Sequence, residues 1–104
     1  MVTGADATRL ALALPGAVEQ DHHGFPSFRV DGRIFATLPS PGRLRVMLDE
    51  HGIPSAAATW PNACRECYWG KRLACVEISL NDADEILVND LLADAWEHKR
   101  RQSR

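Results

Sequence analysis

Between Ala17 and Asp49 the apolar residues recur with a period of two, and the run is broken at short intervals by Gly24, Pro26, Asp31-Gly32, Pro39 and Pro41-Gly42. Alternation sends successive side chains to opposite faces of a strand, and turn residues this closely spaced connect neighbouring strands directly. The segment therefore predicts a meander of three or four antiparallel strands and disfavours parallel βαβ folds. Its clearest joint is Asp31-Gly32, set between Phe28-Arg29-Val30 and Arg33-Ile34-Phe35, because a type I′ hairpin needs two residues at positive φ. A simple register across that turn places Phe28 opposite Phe35. Leu44 to Asp49 predicts a further strand, with Leu44, Val46 and Leu48 on one face and Arg43, Arg45 and Asp49 on the other.

Helical spacing flanks this meander. From Thr3 to Leu14, Ala7, Leu10, Ala11 and Leu14 form one stripe, Thr3 and Asp6 have the spacing of a cap, and Pro15-Gly16 ends the run. Glu50 to Thr59 predicts a short helix with Pro54 at its first position. A loop carrying Tyr68, Trp69 and the cysteines leads to a strand over Leu73 to Leu80. The last element is a long helix capped by Asn81 or Asp82, with Asp84 and Glu85 in its first turn and Lys99, Arg100 and Arg101 in its last. Its buried stripe is Leu87, Val88, Leu91, Leu92, Ala95 and Trp96, and Gln102 to Arg104 is expected to fray. A chain of 104 residues, 45% of them hydrophobic, has material for one core. The expectation is an α+β fold in one domain spanning 1–104, with two layers and the helices packed on one face of the sheet.

The 12 Lys+Arg and 14 Asp+Glu leave a net charge of -2, so total charge does not name a partner. No apolar run is long enough for a membrane span, and Met1 to Leu14 lacks the basic start of a secretory signal, which places the chain in the cytoplasm, away from membranes. Three cysteines fit reduced thiols. The chain has no Gly-rich phosphate loop, nucleophile elbow or His-Glu-x-x-His pattern, so neither an enzyme nor a cofactor is expected.

Charge is nevertheless unevenly distributed. Arg29, Arg33, Arg43 and Arg45 lie in the meander with only Asp31 among them, whereas Leu73 to His98 contains seven acids and no Lys or Arg. A guanidinium offers a planar fork of donors to phosphate, so these arginines are candidates for nucleic-acid contact. The alternative is a solvated sheet face whose arginines pair with Asp31 and Asp49. Arg65, Lys71 and Arg72, beside Trp60, Tyr68 and Trp69, form a second basic group with the composition of a base-stacking groove. The alternative there is that the aromatics serve packing. Cys64-x-x-Cys67 with Cys75 offers three thiolates, and His22, His23 or His51 would have to complete a zinc site; ordinary cysteines are the simpler expectation, with no metal. Glu19, Asp21, His22 and His23 crowd one segment, yet adjacent residues of an extended strand face opposite ways.

Taken together, Ala11-Leu12-Ala13-Leu14-Pro15-Gly16-Ala17-Val18-Glu19, His22 to Gly24, and Phe28 through Leu38 resemble the signature of the MmcQ/YjbR-like bacterial proteins. Trp69-Gly70, Cys75 to Leu80 and the terminal helix ending near Trp96 extend the resemblance over nearly the whole chain. It implies a secretion-chaperone-like α+β architecture and a DNA-binding label that rests on fold analogy. The chain departs from that family's pattern at His51 to Thr59, where relatives carry a longer, more charged helix, and in its three cysteines. The resulting expectation is DNA contact through the arginines without catalysis; the alternative is a regulatory adaptor that docks a protein partner.

Overall fold

The structure, a computed structural model, describes residues 1–103, and among these it contains six strands and three α-helices. Helix α1 (Gly4–Leu12) opens with the capping box the sequence suggests: the Asp6 amide donates to Thr3 Oγ1 and the Thr3 amide to Asp6 Oδ2, both at 3.0 Å. The meander follows as β1 (Val18–His22), β2 (Phe25–Val30), β3 (Arg33–Ser40) and β4 (Arg43–Val46). After α2 (Gly52–Thr59) come β5 (Cys64–Trp69), β6 (Arg72–Ser79) and the long α3 (Glu85–Gln102). All neighbouring strands are antiparallel, in the order β1-β2-β3-β4-β6-β5.

Strand alternation sorts the sheet into two faces. Phe28, Val30, Ala36, Leu38, Leu44, Val46, Cys64, Val76 and Ile78 join Ala7, Leu10, Ala11, Ile53, Ala56, Leu87, Val88, Leu91, Leu92 and Ala95 of the helices in one buried cluster. The other face carries no helix. This is the α+β, two-layer arrangement expected from the sequence. Trp96 fastens α3 to the α1–β1 connection, since its Nε1 donates to the Pro15 carbonyl at 2.8 Å, and Arg100 of the same helix lies over its ring.

Asp31 (φ 52°) and Gly32 (φ 77°) adopt the positive φ values of the expected hairpin turn. The register across it differs, however. Phe28 pairs with Ala36 and Arg29 with Ile34, which leaves Phe35 as the extra residue of a bulge. The bulge lets both Phe35 and Ala36 enter the helix-side core, where a strict alternation would have admitted only one of them. Strand β4 is shorter than expected and ends at Val46, although Leu48 stays buried.

The helix ends also differ from those the sequence suggests. Pro54 stands at the third position of α2 rather than the first, and Asp49 Oδ1 accepts from the Gly52 amide at 2.6 Å. Neither Asn81 nor Asp82 caps α3. Leu80–Asp82 forms a 3₁₀ turn in which Asp82 accepts from Ser79 Oγ, and the cap is Asp84, whose Oδ1 accepts from the Leu87 amide at 2.8 Å. Replacing Asp84 with alanine is expected to cost about 1 kcal/mol, seen as a lower denaturation midpoint at unchanged slope. Helix α3 continues through Gln102, and Arg104 lies outside the described residues.

Candidate functional site

Direct partners in an antiparallel pair share a face, so the register reads out a polar row across the whole helix-free side. Gln20 pairs with Ser27, Ser27 with Thr37, Thr37 with Arg45, Arg45 with Glu77, and Glu77 with Arg65. By the same alternation Glu19, Asp21 and Glu66 point the other way, because their partners are Phe28, Pro26 and Val76. Glu77 is thus the one carboxylate of this row, and it is only 2% exposed.

Three arginines converge on it. Arg43 Nη1 donates to Glu77 Oε1 at 2.8 Å, Arg45 Nε to Oε2 at 3.1 Å, and Arg65 to Oε1 through Nη2 at 2.6 Å and Nε at 3.1 Å. The three arginine side chains stay partly in solvent while the carboxylate they hold is almost wholly buried. Burial raises the Glu77 pKa, but the hydrogen bonds from Arg45, Arg65 and Arg43 outweigh it and hold the carboxyl below the ordinary glutamate range. The same bonds and charge push the Arg65 guanidinium up. One negative charge cannot neutralise three positive ones, so the cluster keeps a surplus of two.

A depressed native pKa means that Glu77 binds a proton less readily folded than unfolded, and its contribution is therefore present above the ordinary glutamate value near 4.5 and lost as pH falls through the native one. Urea titrations at neutral pH and near pH 3 are expected to show this loss in the native chain and a smaller one in Glu77→Gln.

The other candidates are more scattered. Arg29 lies on the same face and donates through Nε to Ser27 Oγ at 3.2 Å. Arg33 begins β3, Arg72 begins β6, and Lys71 sits at the tip of the β5–β6 hairpin, all exposed. Pairing of the meander arginines with Asp31 and Asp49 does not occur. Asp31 accepts from Ser103 Oγ and Asp49 holds the start of α2, while Arg43 and Arg45 take Glu77, more than thirty residues away in sequence. Of the seven acids between Leu73 and His98, Glu77 lies in β6, whereas α3 carries Glu85, Asp90, Asp94 and Glu97 and ends in Lys99, Arg100 and Arg101. Burial, followed by Asp90 and Asp49, raises the Asp94 pKa.

The cysteine segment is a strand and not a loop. Residues three apart in a strand face opposite ways, so Cys64 enters the core while Cys67 faces the open side, directly across from Cys75. That geometry separates the thiols a zinc knuckle would need to bring together. Among the described residues no group of three or more His, Cys, Asp or Glu side chains is placed to hold a metal. Burial pushes the Cys64 thiol up to about 11 and, with Cys67 beside it, the Cys75 thiol up to about 12. His23 (φ 55°) and Gly24 (φ 92°) form a turn, which brings the His22 and His23 rings to 4.4 Å between centroids despite their adjacency. Of the aromatics, Trp60 and Trp96 pack on the core, whereas Tyr68 and Trp69 are exposed.

Glu77 is the residue that sequence reasoning missed as a site. Its signal was a lone carboxylate inside the apolar run Leu73 to Leu80, on the face opposite Val76 and Ile78. No helix among the described residues is long and apolar enough to cross a membrane. No protein-family model, curated protein or solved structure matches the chain.

Proposed function

We propose that the helix-free face of the sheet binds nucleic acid, holding phosphates through Arg29, Arg43, Arg45 and Arg65, with Arg33, Lys71 and Arg72 at its margins, and performs no chemistry of its own. The observation that carries this reading is the convergence of three guanidiniums on the buried Glu77 carboxylate. Glu77 engages one nitrogen each of Arg43 and Arg45 and two of Arg65, so further N–H donors remain on every guanidinium. A buried acceptor that fixes these long side chains beforehand lowers the ordering cost of binding an anion, and charge-assisted pairs to phosphate are among the stronger hydrogen bonds. The resemblance to the MmcQ/YjbR-like proteins supports the same reading by analogy. Free thiols suit the reducing cytoplasm as the place of action.

Amide chemical-shift mapping with a short oligonucleotide tests it. The expected perturbations cluster on β2, β4, β5 and β6 around Arg29, Arg45, Arg65 and Glu77. Shifts absent from the sheet would contradict the proposal. If a protein partner instead perturbed α3 around Asp90 and Asp94, the alternative of a regulatory adaptor would take its place.

A further inference from the structure

Beside the arginine cluster, the helix-free face holds a hollow of about 360 Å³, a size within the roughly 300–1,000 Å³ of small-ligand sites. Phe25, Ile34, Met47 and Trp69 supply its apolar walls. Phe25 belongs to β2 near one edge of the sheet and Trp69 to β5 at the opposite edge, and both border this one space. Arg33 and Arg45 of the sheet line the same space, Lys99 reaches it from the last turn of α3, and no carboxylate borders it.

Two further observations say what would fill it. Trp69 is 63% exposed, an indole left largely in water at the mouth of an apolar recess. The cations around Lys99 also lack a counter-charge: among the described residues Arg33 and Arg72 form no ion pair, and Lys99 Nζ reaches only Gln102 Oε1, at 3.2 Å. Burial and the neighbouring Arg33 and Arg72 lower the Lys99 pKa, as expected for a cation crowded by like charges. An occupant with a flat apolar body and an attached anion satisfies both the walls and the rim.

We infer that the hollow takes one unstacked nucleobase against Trp69, with its adjoining phosphates on Arg33, Arg45 and Lys99, so that the face selects single-stranded over double-stranded nucleic acid. The inference rests on the nucleic-acid reading of this face. Arg45 joins the two parts of the site, since its Nε is held by Glu77 while the residue also lines the hollow. A paired base has its faces covered by its neighbours in the stack and cannot enter, whereas a single strand presents bases free to stack on an aromatic side chain.

Fluorescence anisotropy with a labelled oligothymidylate strand, and with the same strand annealed to oligoadenylate, tests this at matched salt. The native chain is expected to bind the single strand at least about tenfold more tightly than the duplex, and Trp69→Ala to lose about tenfold on the single strand but less than about twofold on the duplex. Trp69 is exposed, so the variant is expected to keep the native circular dichroism. Equal affinity for the two forms, or equal loss on both, would overturn the base-binding hollow while leaving the phosphate-binding face intact. Absence of binding to either form at low salt would overturn the face and the hollow together.

Discussion

Replacing Arg43, Arg45 and Arg65 together by methionine is expected to destabilise the fold by about 3–5 kcal/mol at neutral pH, because it leaves a buried carboxylate with no counter-charge. Methionine keeps a long unbranched apolar side chain at each position, so the acid is expected to stay out of water while the guanidiniums are lost. Alanine in the same positions would admit solvent and cost less. Adding Glu77→Gln to the triple variant is expected to restore most of the loss. The triple variant should also gain stability as pH falls, since a buried, unpaired glutamate has a raised native pKa and binds its proton more readily folded than unfolded. Urea titrations of the triple and quadruple variants across this pH range measure each effect. Were the triple variant as stable as the native chain, Glu77 would not be the organiser of this face.

The second large effect belongs to the core. Phe28→Ala is expected to cost about 3–5 kcal/mol, a large share of the stability of a small domain. Phe28 is fully buried on the helix side of β2, and its direct partner across the β2–β3 ladder is Ala36, too small to fill the space left behind. Phe35, the extra residue of the bulge, is equally buried but comes from a different position along β3, so it does not fill that space without undoing the register. A denaturation midpoint within experimental error of the native one would contradict this packing.

Much of the architecture was legible because it depends on local chemistry. Asp31-Gly32 marks a turn that the backbone then makes, Thr3 and Asp6 mark a cap, and the stripe from Leu87 to Ala95 marks the face that α3 buries. What was not legible depends on choices among equals or on distant partners. Ile34-Phe35-Ala36 is apolar throughout, so alternation alone does not say which residue turns outward, and the bulge decides it. Asn81, Asp82 and Asp84 are all good caps, and the 3₁₀ turn from Leu80 selects the last. Cys64-Arg65-Glu66-Cys67 has no apolar face of its own and is a strand because β6 pairs with it at the sheet edge. The same dependence on distant pairing concealed the site. The arginines of the meander could be counted in the sequence, but their assembly on Glu77 required the crossover that places β6 between β4 and β5.

A salt series of oligonucleotide anisotropy, run on the native chain and on Arg29→Gln with Arg65→Gln, tests the phosphate-binding face most directly. This pair leaves Arg43 and Arg45 on Glu77. The expected result is that log K falls linearly with log salt, and that the slope shrinks by about 0.7–0.9 for each phosphate contact removed. Affinity independent of salt, or a slope unchanged by losing both arginines, would contradict a face built to hold phosphates.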